Sequence, residues 1–143
     1  MKIKQLSLFI ENRTGALSEP CRILSEAGIN IVTLCLADTQ NFGIMRLIVK
    51  EWQKAEKLLS ARDYAVKTTD VVAIEIDDRP GGLAKILMIL EKSGLNVEYM
   101  YAFTSGKNGR AVLVFRFEKP DEAIKILSAK GINVLGEAHI FEK

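Results

Sequence analysis

The chain has 143 residues, 48% hydrophobic and 27% charged, with a formal net charge of +2 at pH 7. This is the composition of a globular protein with a real core, which excludes a disordered chain. Lys and Arg are scattered rather than grouped, which argues against a nucleic-acid partner held through its phosphates.

No apolar run reaches the roughly 18–20 residues needed to cross a bilayer. The segment Met1–Ile10 is too short and too polar for a signal-peptide core, so an intracellular, cytoplasmic protein with no membrane partner is expected. Cys21 and Cys35 are the only cysteines and His139 the only histidine. A metal site needs three or four clustered ligands, so no metal and no cofactor is expected, and the cysteines read as small buried hydrophobes.

In chain order, Ile3–Ile10 alternates as a strand with Leu6, Leu8 and Ile10 on one face. Thr14 or Asn12 can cap a helix that begins near Gly15. Leu17, Cys21, Leu24 and Ala27 then recur at helical spacing as a buried stripe, until Gly28 ends the helix. Pro20 conflicts with this placement, because in the second turn it removes the bond to the carbonyl of Ala16. The helix either starts later or is kinked. Ile29–Ala37 reads as a strand, Asp38–Gly43 as a turn, Ile44–Val49 as a strand, Trp52–Arg62 as a helix and Tyr64–Thr69 as a last strand.

The same order then repeats. Sliding the chain by 66 residues aligns Leu6–Val49 with Val72–Phe115, with ten identities in 44 positions, Gly43/Gly109 and Leu47/Leu113 among them. After a two-residue insertion the offset becomes 68, and Gln53–Val66 matches Asp121–Val134 with six identities. The chain is a duplication. The second copy reads as strand Val71–Asp77, helix Gly82–Ser93 with Leu83, Ile86, Leu87 and Leu90 inward, and strand Leu95–Phe103. Hairpin turn Ser105–Gly109, strand Arg110–Phe117, helix Pro120–Lys130 and strand Ile132–Phe141 follow.

Each half is β-α-β-β-α-β, so the fold class is α+β. Two ferredoxin-like units are expected, 1–69 and 70–143, each a four-stranded antiparallel sheet with both helices on one face. The second strands are long, apolar on both sides and at sheet edges, which an isolated unit should avoid. Paired edges would give one eight-stranded sheet. That pairing is available within the chain or between the chains of a homodimer.

The repeated loop is the candidate site. Glu11-Asn12-Arg13-Thr14-Gly15-Ala16-Leu17 and Asp77-Asp78-Arg79-Pro80-Gly81-Gly82-Leu83 each lead into a helix whose first N–H groups and dipole favour an anion such as a carboxylate. Asn12 or Asp78 offers acceptor oxygens for an ammonium group. Gly28-Ile29-Asn30 and Gly94-Leu95-Asn96 open the edge strands, and paired edges would bring Asn30 and Asn96 to a partner unit's loop. Donors for a carboxylate beside acceptors for an ammonium describe the backbone end of a free amino acid. The plainer reading is that these residues only cap helices and make turns.

Asn-Arg-x-Gly-x-Leu, a helix, and Gly-Ile-Asn-Ile in such a unit resemble the ACT domain, a family of amino-acid-binding regulatory modules attached to enzymes of amino-acid metabolism. The resemblance covers essentially the whole chain, one domain per repeat. In the serine-sensing members it implies a ligand between two paired domains, held by the loop asparagine of one and the Gly-x-Asn asparagine of the other. Asn12, Asn30 and Asn96 match those positions, whereas Asp78 replaces the second loop asparagine. The family's serine sensors also carry a histidine where Ile10 and Ile76 stand here, so the ligand is a different question from the fold.

Other functions of the topology lack their residues. An RNA-recognition domain needs stacking aromatics where Arg110 and Val112 stand. A metal chaperone needs Cys-x-x-Cys in the first loop, and an acylphosphatase-like enzyme needs a longer, glycine-rich phosphate loop than Asn12–Gly15. No nucleophile–base pair is visible, so catalysis is not expected. The expected function is a non-catalytic amino-acid sensor. Its binding residues would be Asn12, Thr14, Gly15, Ala16, Leu17 and Asn30 with Asp78, Pro80, Gly81, Gly82, Leu83 and Asn96. Its partner would be an enzyme or regulator of amino-acid metabolism. The alternative is a protein-interaction or structural module with vestigial sites.

Overall fold

The computed structural model describes residues 1–103 and 108–142. The chain divides into two compact units, one of Lys4–Thr69 and the other of Asp70–Lys143 together with Met1–Ile3. Chain order in the first half is β1 (Ile3–Glu11), α1 (Ser18–Glu26), β2 (Ile31–Thr39), β3 (Phe42–Val49), α2 (Trp52–Ala61) and β4 (Val66–Asp77). The second half continues from β4 with α3 (Gly82–Lys92), β5 (Val97–Ala102), β6 (Arg110–Phe117), α4 (Pro120–Ala129), β7 (Asn133–Leu135) and α5 (Glu137–Phe141).

Strand order is β2-β3-β1-β4 in the first unit and β7-β4-β6-β5 in the second, with β3 antiparallel to β1 and β2, β4 antiparallel to β6 and β7, and β5 antiparallel to β6. Both units are therefore ferredoxin-like. In the first, Leu6, Leu8 and Ile10 of β1 and Met45, Leu47 and Val49 of β3 pack under Ile23 and Leu24 of α1 and Ala55 and Leu59 of α2. In the second, Val72, Ile74 and Ile76 with Leu113, Phe115 and Phe117 pack under Ile86, Leu90, Ala123 and Leu127. Alternation along each strand and the 3.6-residue period along each helix send these residues to one shared layer. Phe115 and Phe117 stack at 5.6 Å between ring centroids.

Two expected strands, Tyr64–Thr69 and Val71–Asp77, are one. β4 runs through the unit boundary, because Thr68-Thr69-Asp70-Val71-Val72 holds no glycine or proline and is mostly β-branched. The described residues thus form seven strands, not the eight expected. The expected strand Ile132–Phe141 is also shorter. It ends at Leu135, and after Gly136 the segment Glu137–Phe141 is helical, with His139 exposed on it. Glu137 in the first turn suits the positive end of that helix dipole.

The hairpin register moves the insertion. Leu6 faces Leu47 and Val72 faces Phe115, so β3 and β6 correspond at an offset of 68. β2 and β5 still correspond at 66, since Leu34 faces Leu47 and Met100 faces Phe115. The two extra residues therefore lie in the second β-hairpin, and the identities Gly43/Gly109 and Leu47/Leu113 are coincidences. A shift of two keeps every side chain on its face, so alternation alone is blind to it. Ser105–Lys107 of the expected turn lie outside the described residues. Asn108 and Gly109 follow with positive φ.

Pro20 is accommodated by a late start. α1 begins at Ser18, two residues after the position equivalent to the start of α3, so Pro20 falls in the first turn, where a missing N–H is no loss. This helix has no side-chain cap; the capping role expected of Thr14 or Asn12 is not realised. Its buried face is Pro20, Ile23 and Leu24, with Cys21 and Ala27 half-buried and Leu17 exposed. In α3, Ile86 and Leu90 are buried, Leu83 is half-buried and Leu87 exposed. Both stripes are narrower than expected because each helix meets its sheet along one side only.

Gly82 begins α3 directly against the end of β4: a Cβ there would collide with the backbone carbonyl of Asp77. Ala16, the equivalent residue, is buried and carries its methyl without difficulty. Gly82→Ala is expected to destabilise the protein by roughly 1–3 kcal/mol, the usual range for overpacking, whereas Ala16→Gly should lose no more than about 1 kcal/mol. Chemical denaturation of the two variants checks this contrast.

Candidate functional site

In both units the loop after the first strand is a tight turn. Gly15 and Gly81 each have φ +87°, open space surrounds both, and glycine is there for the left-handed backbone. The N–H of Ala16 bonds the carbonyl of Arg13 at 3.2 Å, and that of Gly82 bonds Arg79 at 3.0 Å. Those two donors, expected to face a ligand, are used inside the turn. Gly15 and Leu17, and Gly81 and Leu83, donate to no backbone carbonyl among the described residues.

Asn12 ties the loop to the β2–β3 hairpin. Its backbone N–H bonds Asn41 O at 2.9 Å and its side-chain Nδ2 bonds Gln40 O at 2.9 Å. With the amide nitrogen engaged, Oδ1 is the atom left to accept from a ligand. Asp78 repeats the backbone bond, to Gly109 O at 2.9 Å. Asn12, Thr14, Asp78 and Pro80 are exposed. Flanking ion pairs, Arg13–Glu11 at 2.8 Å and Arg79–Asp77 at 3.3 Å, are solvent-exposed and contribute little to stability.

The asparagines of the edge strands lie elsewhere. α1 ends in a Schellman turn, with Ile29 N–H on Leu24 O at 2.9 Å and Gly28 N–H on Ser25 O at 3.0 Å, and Gly94 and Leu95 close α3 in the same way. β1 and β2 are both antiparallel to β3, hence parallel to each other. Asn30 therefore sits at the opposite end of the sheet from the Asn12 loop, about 30 Å away over the nine residues of β2. Within one unit the two halves of the motif do not meet. Asn96 stands in the same relation to the Asp78 loop.

The surroundings of the two asparagines differ. Asn30 lines an open groove of about 380 Å³ with Cys21, Ser25 and Ile31. Burial raises the Cys21 thiol above its ordinary 9.0, so it is no activated nucleophile. Asn96 lines a smaller pocket of about 90 Å³ with Phe117, Lys119 and Glu122. From the sequence Cys21 is legible only as part of the α1 stripe, and Lys119 and Glu122, at the start of α4, carry no signal toward Asn96. Beside these sites β2 and β5 each bond a single neighbour in the strand order, and Leu34 and Leu36 on β2 are 38% and 48% exposed. No helix among the described residues is long and apolar enough to cross a membrane, and no cluster of potential metal ligands occurs among them.

Two ferredoxin-like units, each with a glycine turn before its first helix and an asparagine opening its edge strand, define a tandem regulatory-module fold. The model of the ACT domain pair family matches residues 1–142, and the chain belongs to that family. A protein of known structure from Bacteroides thetaiotaomicron is 39% identical over 100% of this chain and 98% of its own, with a TM-score of 0.92. The regulatory subunit of aspartate kinase from Thermus thermophilus shares the fold at a TM-score of 0.63 and 16% identity, over 88% of this chain and 91% of that one. Among curated proteins, the acetolactate synthase small subunit of Buchnera aphidicola subsp. Baizongia pistaciae is 28% identical over 90 residues. That match is 62% of this chain and 57% of the relative, so the chain spans little more than half of that protein.

At the first turn of α1, Tyr64 accepts a role the sequence did not suggest. Burial raises its phenol above the ordinary 10.0, and a hydrogen bond to Glu19 and that residue's charge add to the rise, against the opposing charges of Arg13 and Arg22. A raised phenol favours the neutral, folded form. Its contribution is complete below pH 10.0 and is lost as the pH rises through the folded-state value. Tyr64→Phe should therefore lower stability at neutral pH by at most about 1 kcal/mol and flatten its decline at alkaline pH. Denaturation midpoints measured from neutral pH upward read both effects.

Proposed function

We propose that this protein is a non-catalytic amino-acid-binding regulator made of two ACT domains, 1–69 and 70–143. The observation that carries the reading is the separation of the loop from the asparagine within each unit, beside an edge strand that still has a free side. A second edge laid antiparallel to β2 or β5 would bring its own opening asparagine to the loop. It would complete a site whose donors and acceptors match an amino acid's carboxylate and ammonium. The two edges come from two copies of the chain in this reading, so the ligand binds a homodimer and stabilises it.

Asn12 Oδ1 or the Asp78 carboxylate receives the ammonium. The unbonded N–H groups of Gly15 and Leu17, or of Gly81 and Leu83, receive the carboxylate, with Thr14 and Pro80 on the loop and Ala16 and Gly82 shaping the turn beneath it. Asn30 and Asn96 close the site from the second edge. Because Asp78 stands for Asn12, and the Asn30 and Asn96 surroundings differ, the sites differ in preference. The name of the acetolactate synthase relative and of the aspartate kinase regulatory subunit support an enzyme of amino-acid metabolism as the regulated partner. Ligand binding would act by shifting how two units associate.

The test is thermal unfolding against each of the twenty amino acids. A ligand at about 100 times its dissociation constant adds roughly 2.7 kcal/mol, a midpoint shift of several degrees. One amino acid, or a chemically related few, should shift the midpoint, and Asn30→Ala or Asn96→Ala should shrink the shift with the unliganded midpoint kept. No shift with any amino acid would replace this reading with the protein-interaction module.

A further inference from the structure

The second unit contains a polar pocket of about 180 Å³ away from both asparagines. Glu75 and Asp77 of β4, Arg110 of β6, Lys85 of α3 and Ile132 and Asn133 after α4 form its wall. Arg110 bridges the two carboxylates, with Nε 3.3 Å from Glu75 Oε1 and Nη1 bonded to Asp77 Oδ1. Asn133 Nδ2 donates to the same Glu75 oxygen at 3.1 Å, and Arg79 takes the other oxygen of Asp77.

Both oxygens of Asp77 and Oε1 of Glu75 are thus engaged, and several donors stay uncommitted. Lys85 has no ion-pair partner among the described residues. Arg110 makes its contacts through Nε and Nη1, leaving Nη2, and Asn133 Nδ2 carries a second N–H.

The first unit is a control built on the same backbone. At the offsets set by the strand register, Lys85 replaces Glu19, Arg110 replaces Phe42, Ile132 replaces Tyr64 and Asn133 replaces Ala65. In the first unit Glu19 interacts with Tyr64 and raises its phenol above the ordinary value. In the second, the tyrosine ring is gone, the acid has become a base, and two donors have been added. Lys85, Arg110 and Asn133 each add a positive charge or an N–H donor, while Glu75, which stands where the first unit has Phe9, adds the carboxylate that Arg110 pairs with.

We infer that this pocket, which meets the Asp78–Gly81 loop at Gly82 but includes neither Asn30 nor Asn96, is a binding site for a small oxyanion, a carboxylate- or phosphate-bearing molecule, complete within the second unit. Lys85 supplies the charge, Arg110 and Asn133 the directed N–H donors, and the carboxylates of Glu75 and Asp77 hold Arg110 in position rather than meeting the ligand. The site does not depend on paired edges or on the amino-acid reading.

The probes are sodium phosphate and sodium acetate, titrated into the full chain at constant ionic strength with sodium chloride and followed by ¹H–¹⁵N correlation spectra. Saturable shifts are expected at Lys85, Arg110, Ile132 and Asn133 with at least one of them; which one names the oxyanion class. Lys85→Ala, an exposed change to a good helix former, should weaken that binding about tenfold or more, the loss expected for one charge-assisted hydrogen bond. Lys85→Glu with Ile132→Tyr, which rebuilds the first unit's closure, should abolish it. Asn30→Ala and Asn96→Ala should leave it unchanged. Absence of saturable shifts at these residues, undiminished binding in Lys85→Ala, or equal loss in the asparagine variants overturns the inference, whatever the amino-acid screen returns.

Discussion

Each unit is governed by a crossover between two parallel strands. β1 delivers the chain to one end of the sheet, α1 carries it back over the apolar face, and β2 starts again from the far end. Right-handed packing of a helix on a twisted sheet allows hardly any other path. Its consequence for function is immediate. The glycine loop and the asparagine that follows the helix are neighbours in sequence logic but stand a strand's length apart in space. A site that uses both needs a second edge. In the proposed function, recognition therefore requires the association of two edges.

The crossover is held at both ends by backbone geometry rather than by side-chain caps. At the entrance, Gly15 or Gly81 in the left-handed region lets the turn close on the carbonyl of Arg13 or Arg79. At the exit, all four long helices close with paired bonds of the Schellman type, and Asp63 adopts the left-handed conformation where the other three use glycine. These turns fix where helices begin and end, so the side chains around them are free to diverge between the copies.

That freedom gives the duplication its interest. The same backbone carries Pro20 in one helix and Ile86 in the other, and the helix start moves by two residues because proline has no N–H to offer. It carries Tyr64 interacting with Glu19 in one unit, and Ile132 beside Lys85 in the other. It carries exposed Phe9 and Phe42 on the first sheet, and the ion-paired Glu75 and Arg110 at the equivalent places on the second. Two copies of one fold have become two surfaces with different chemistry, each readable against the other.

Periodicity and internal repetition determined the fold class, the order of elements and the loop and asparagine motif from the sequence alone. Those features depend on local backbone preferences and on which face of an element is apolar. Alternation with period two could not see a two-residue slip, so the insertion was placed after β6 rather than in the hairpin before it, and Arg110 was matched to the wrong residue. Nor could it see that β4 is continuous, because a single acidic residue between β-branched neighbours looks like a boundary on paper. The separation of Asn12 from Asn30 and the gathering of Glu75, Lys85, Arg110 and Asn133 around one pocket were decided only in three dimensions. They depend on strand direction and register, which join residues up to 58 positions apart and leave no periodic trace in the chain.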